Sequence, residues 1–228
     1  MRLDLMLKRT PYLWRYADNF RPRFPGSGEY WEARYVQGGN SGQGSYGHLA
    51  DFKAEVLNEF VSAHQVASVI EFGCGDGNQL SLASYPRYVG LDVSRTAILQ
   101  NAARFAADPT KSFLLYDPEC FCDRAGWLSA DLALSLDVVY HLIEDKVFQR
   151  YFAHLFGAAK KHVIVYSSNH DEVLRNSHVR HRHFTKYVEA ELPAWRLSQK
   201  IPNKYAASEV GADIGTFADF YVFQKTTS

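Results

Sequence analysis

Val69-Ile70-Glu71-Phe72-Gly73-Cys74-Gly75-Asp76-Gly77-Asn78 joins a short apolar run to a cluster of alternating glycines. A short β-branched run suits a strand buried on both faces, and the glycines suit a tight turn that brings bare backbone close to a ligand. In an open α/β sheet, ligands bind at such a place, where the first strand turns toward the first helix. The dinucleotide fingerprint Gly-x-Gly-x-x-Gly or Ala is not met, because its third position, counted from Gly73, is Asn78. What stands here instead is an acid two residues before Gly-x-Gly-x-Gly.

On either side the pattern is consistent with that placement. Strands are predicted at Ser68–Phe72, Tyr88–Leu91, Ser112–Tyr116, Leu132–Leu136 and His162–Tyr166, with helices around Gln79–Ser84, Ser94–Ala107 and Glu144–Lys160 between them. Short buried runs alternating with helices predict a parallel sheet covered on both faces. A helix at Thr185–Leu192 and strands at Trp195–Ile201 and Phe217–Gln224 follow. Upstream, Leu49, Phe52, Val56 and Phe60 recur at helical spacing, predicting a helix over His48–Ala63. Before it, Gly38 to Gly47 holds five glycines in ten residues and reads as a loop. Residues 1–35 read as an irregular arm, rich in proline and aromatic residues, that packs on the body. Residues 1–64 are thus expected to form arm, loop and helix, and residues 65–228 the core.

The order of these features resembles the class I S-adenosylmethionine-dependent methyltransferases. Glu71-x-Gly73-x-Gly75-x-Gly77 resembles their first motif, and Tyr88-Val89-Gly90-Leu91-Asp92 supplies the acid that closes the second strand. Phe113-Leu114-Leu115-Tyr116 leads to Asp117, and Leu132 to Leu142 is similar to the fourth motif. The resemblance implies a Rossmann-like, seven-stranded, mostly parallel sheet with helices on both faces and an N-terminal lid. It also implies S-adenosyl-L-methionine as cofactor, held by Glu71, Gly73, Cys74 (through its backbone), Gly75, Asp92 on the ribose diol, Asp117 on the adenine amino group, and Asp137. Trp31-Glu32-Ala33-Arg34-Tyr35 is similar to a segment that covers the cofactor in small-molecule methyltransferases, which places Tyr35 on the cofactor and Tyr46 near the acceptor.

A hydroxyl acceptor needs a base. His141, just past the fourth strand, is the first candidate and His181 the second. Tyr140 stands beside the same turn. The segment Val173 to Lys186 holds three Arg, one Lys and three His with no acid, a local charge of +4. It follows the fifth strand, so Arg180 and Arg182 are expected to bind an anionic acceptor by bidentate hydrogen bonds. A metal held by His178, His181 and His183 is not expected, because the three do not share a helix face and no carboxylate or cysteine is local. Cys120 and Cys122 are expected to be two packed thiols.

Lys+Arg and Asp+Glu both number 25, with 46% hydrophobic and 22% charged residues. Such a balance favours neither nucleic acid nor an anionic membrane. Three cysteines and the absence of an apolar run near the N-terminus suit the cytoplasm. The expected partner is therefore a small-molecule acceptor: a sugar, a nucleotide-sugar or a phosphorylated metabolite, methylated on oxygen. Two rival readings use the same residues: a silent cofactor-binding scaffold and a nicotinamide-dependent oxidoreductase. A nucleic-acid methyltransferase would carry Pro-Pro-aromatic after its fourth-strand Asn or Asp, where this chain has Val138-Val139-Tyr140.

Overall fold

A computed structural model describes residues 24–173, 178–211 and 214–226. The first part of the expected arm (residues 1–23) and residues 174–177 of the basic segment lie outside the described residues.

Seven strands form one sheet in the order β3-β2-β1-β4-β5-β9-β8. They are β1 (Val69–Phe72), β2 (Tyr88–Asp92), β3 (Lys111–Leu115), β4 (Ala130–Leu136), β5 (Ala159–Ser167), β8 (Trp195–Ile201) and β9 (Asp219–Lys225). The first five in that order run parallel, and β9 and β8 close the sheet antiparallel. The expected mixed seven-stranded architecture is therefore observed. Two-residue strands β6 (Glu172–Val173) and β7 (Arg180–His181) form a separate hairpin.

Every residue of β1 and β4 is buried, as their mostly apolar sequences require, with Glu71, Asp131 and Ser135 the polar exceptions. Alternation along β1 sends Ile70 and Phe72 to one face and Val69 and Glu71 to the other. The first face meets Tyr151, Phe152 and Leu155 of α4 (Asp145–Gly157) and Phe184 and Val188 of α5 (Phe184–Glu191). The second meets Phe52, Leu57 and Phe60 of α2 (Gly47–Ala63), with Ile98 of α3 (Arg95–Arg104) packed at its margin. Strand order reverses between β1 and β4, so their carboxyl ends open a crevice.

Several local expectations are corrected. Residues 27–36 are not irregular: Ser27–Val36 form helix α1, which starts after Gly26 at φ 114°. Its Glu32 accepts from the Ser94 hydroxyl and from the backbone N–H and hydroxyl of Thr96, which seats a carboxylate on the positive end of α3. Gln79–Ser84 is no helix; only a 3₁₀ turn at Leu80–Leu82 forms. Helix α4 ends at Gly157, because Ala159 and Lys160 already belong to β5. Cys120 and Cys122 are exposed free thiols and do not pack. Among the described residues no helix is long and apolar enough to cross a membrane. A short helix α6 (Ala207–Val210) precedes β9.

Candidate active site

A cavity of about 600 Å³ opens over the carboxyl ends of β1, β2 and β4, and α1 forms part of its wall. Glycine is required at the β1 turn. Gly73 has φ +85° and Gly75 φ +57°, and a Cβ on Gly73 would run into Val138, one on Gly75 into the Ser41 hydroxyl. Helix α3 secures the turn from behind, where the buried Asn101 amide donates to the Gly75 carbonyl at 2.6 Å.

Asp92 ends β2 beside this turn. Its Oδ2 accepts from the Gly75 N–H at 2.9 Å and its Oδ1 from the Ser94 N–H at 2.8 Å, so both oxygens are oriented and each keeps a lone pair. Glu71, also buried, accepts from the Tyr88 hydroxyl at 2.6 Å. Burial raises Asp92 to about 6 and Glu71 to about 7, against the opposing pull of their hydrogen bonds. Cys74 also lines the cavity and is buried, with its thiol pushed up by that burial. Asp117 reaches the wall from the end of β3, and its Oδ1 accepts from the Glu119 N–H.

Asp137 follows β4 at φ +59°, a left-handed conformation that is costly outside glycine. It is held there by Lys53 Nζ at 2.5 Å and by the Tyr140 hydroxyl at 2.8 Å. Lys53 is only 1% exposed and also lies over the Tyr166 ring. The glycine loop closes from above: a Cβ on Gly44 would come within 2.8 Å of Asp137 Oδ2. Ser41 exchanges two hydrogen bonds with Asp76, and the Tyr35 hydroxyl meets the Ser41 hydroxyl at 2.9 Å.

His141 lines the cavity with its ring edge-on to Trp31. Its Nδ1 lies 2.9 Å from the His178 carbonyl. A carbonyl only accepts, so this partner assigns the proton to Nδ1 and leaves Nε2 with a free lone pair. Burial lowers His141 to about 4, keeping the imidazole neutral at ordinary pH. Helix α1 reaches the same turn, where the Ser27 hydroxyl faces both the His141 carbonyl and Glu144 Oε2.

Of the residues picked from sequence, Tyr35, Glu71, Gly73, Cys74, Gly75, Asp92, Asp117, Asp137 and His141 line this cavity. The other five do not. Tyr46 bonds Asp76, and Tyr140 stands behind Asp137. His181 is buried against Ser168. Arg180 and Arg182 both pair with Asp145 and donate to the Ile143 carbonyl, which pins the turn before α4. Among the described residues, the wall holds seven carboxylates (Glu29, Glu71, Asp92, Asp117, Glu119, Asp137 and Glu144) against one lysine, Lys53, and no arginine. The expected anion-binding arginines thus give way to a surface that attracts cations. His178, His181 and His183 do not converge, since His178 stacks on Tyr30 and His183 turns to Thr185.

Sequence reasoning missed Lys53, Ser27 and Glu144. For Lys53 a signal existed: a lysine on the Leu49–Leu57 stripe, one helical turn from each, is buried and needs an acid partner.

The two raised carboxylates set a pH dependence. Folding holds their protons above the ordinary carboxylate range, so stability is highest below about pH 4 for these groups and is lost as pH rises through about 6 to 7. Glu71→Gln removes one such group. Its free energy of unfolding is expected to gain on the parent's as pH is raised from about 5 to about 8, by an amount on the order of 2 to 3 kcal/mol, read by denaturant unfolding at each pH. A difference that stays constant across that range would show that Glu71 does not titrate there.

No protein-family model matches the chain, and no curated protein matches it. Solved structures do. The N-methyltransferase NodS from Bradyrhizobium japonicum WM9, in complex with S-adenosyl-L-homocysteine, superposes with a TM-score of 0.66 at 15% identity, covering 89% of this chain and 100% of that one. Magnesium protoporphyrin IX methyltransferase ChlM from Synechocystis PCC 6803 gives 0.61 at 13% identity, covering 87% and 97%. The methyltransferase domain of bacterial CtHen1 gives 0.61 at 20% identity, covering 78% and 98%. The chain has the fold of the S-adenosylmethionine-dependent methyltransferases.

Proposed function

We propose that this chain is an S-adenosylmethionine-dependent methyltransferase that methylates a hydroxyl oxygen on a small molecule, a sugar among the acceptors first to be tried. The observation that carries this reading is the meeting of the Asp92 carboxylate with the bare backbone of Gly73 and Gly75 in one cavity at the strand-order reversal. The residues present fit the cofactor: side chains at those glycines would fill the turn, and seven carboxylates suit a ligand with cationic groups. When bound, S-adenosylmethionine supplies a methyl group already activated on a positive sulfonium.

The chain's own residues do the rest. Asp92 accepts from a ribose diol and Asp117 from an adenine amine, while the Gly73–Gly75 backbone receives the amino-acid end. Lys53, the one ammonium among the described wall residues, is bonded to Asp137 and fixes that carboxylate toward the cofactor's amino group. Trp31, Tyr35 and the Ser41 loop exclude water and hold the acceptor in line. His141, neutral with Nε2 free, takes the hydroxyl proton. The anionic class of acceptor loses its support, since the arginines that suggested it are spent on Asp145. Even global charge favours a small molecule over nucleic acid, and free thiols suit the cytoplasm.

The test follows labelled methyl from S-adenosylmethionine into a panel of small hydroxylated metabolites. His141→Ala is expected to lower kcat about 100-fold or more while leaving the affinity for S-adenosylhomocysteine unchanged. Equal turnover by the variant would remove His141 as base. Cofactor binding without transfer to any acceptor would favour the scaffold reading.

A further inference from the structure

Beyond the cavity, past the carboxyl end of β5, the β6–β7 hairpin places Glu172 directly opposite His181. Residues paired in this way project to the same face. His170, two residues before Glu172, stacks on His181 with ring centroids 4.5 Å apart, and its Nε2 lies 3.4 Å from Glu172 Oε2. Among the described residues this is the one trio of metal-ligating side chains whose ligand atoms all lie within 4.8 Å of one another.

One member of the trio is fixed. His181 is buried, and its Nδ1 lies 2.6 Å from the hydroxyl of Ser168, itself buried. That bond leaves Nε2 as the ligand atom and supplies the outer-shell contact that orients metal-binding imidazoles. The side chains of His170 and Glu172 are 52% and 51% exposed, so they can adjust around the fixed ring. Donor atoms around a tetrahedral ion lie about 3.4 Å apart, and the trio reaches that spacing by closing about an ångström.

We propose that His170, Glu172 and His181 form a site for a divalent transition cation of the Zn²⁺, Co²⁺ or Ni²⁺ type, with at least one coordination position left open. Two imidazoles and one carboxylate suit these ions, whereas Mg²⁺ and Ca²⁺ prefer all-oxygen ligand sets. The ligands come from across a hairpin, which is why spacing along the chain does not reveal them. Phe217 lies edge-on to His181, and Tyr140, which bonds Asp137, lies next to both rings. The cation would therefore sit one aromatic layer away from the cavity wall and outside it.

The test uses the full chain after chelator treatment, titrated with Co²⁺ by visible absorption and with Zn²⁺ by calorimetry. One equivalent is expected to bind and to give the d–d bands of a nitrogen- and oxygen-ligated Co²⁺ site. His170→Ala and Glu172→Gln alter exposed side chains, and circular dichroism checks that each variant is folded. Each is expected to weaken binding at least about tenfold, and the double variant to abolish the bands. A parent chain that binds no Co²⁺ overturns the proposal. So does a double variant that binds as the parent does, which would place the ion on other histidines such as His64 and His162.

Discussion

Asp92→Ala is expected to lower affinity for S-adenosylhomocysteine at least about 100-fold by calorimetry, with the fold retained by circular dichroism. The carboxylate holds two backbone N–H groups, those of Gly75 and Ser94, at 2.9 and 2.8 Å. Hydrogen bonds to a charged group contribute roughly 1.5 to 3 kcal/mol each, and losing the acceptor leaves both donors buried and unpaired. Alanine thus loosens the glycine turn and removes the proposed ribose acceptor together. Asp92→Asn separates the two effects. It keeps one acceptor oxygen but turns an N–H₂ toward one of the two donors, and an intermediate loss of affinity is expected. Unchanged affinity in both variants would remove Asp92 from the binding site and, with it, the proposed placement of the cofactor.

The second large effect concerns stability. Lys53→Met strips the buried ammonium from Asp137, whose side chain is 10% exposed. Breaking one side of a buried pair typically costs about 3 to 5 kcal/mol, because the remaining charge is left uncompensated. The Asp137 backbone makes matters worse, since its left-handed conformation is held by the very contacts that the lysine anchors. Denaturant unfolding of Lys53→Met is expected to show that loss, and Lys53→Met with Asp137→Asn is expected to recover a large part of it. If the double variant is no more stable than the single one, the cost lies in packing over Tyr166 and not in the ion pair.

Most of the sheet was legible because buried parallel strands are short, β-branched and separated by amphipathic helices. Glu71, Gly73, Gly75 and Asp92 could be found for a related reason: the turn imposes its demands on adjacent residues. Helix α1 was not legible. Pro22, Pro25 and a crowd of aromatic side chains read as irregular, and the helix starts only after Gly26 breaks the chain. Its stability comes from distant partners, with Glu144 at its start and Ser94 and Thr96 along its side. Arg180 and Arg182 misled for the opposite reason. A run of positive charge in the sequence looks unpaired until folding brings Asp145 to it. The β6–β7 hairpin is too short to carry any periodicity.

The ring of carboxylates around the cavity also bears on how the catalyst would empty itself. Once the methyl group had left, the sulfonium would be an uncharged thioether, and the attraction exerted by the ionised carboxylates of the wall would lose part of its object. Fresh donor would then gain more from that field than spent donor, and the electrostatics that draw the reactant in would help to clear the product.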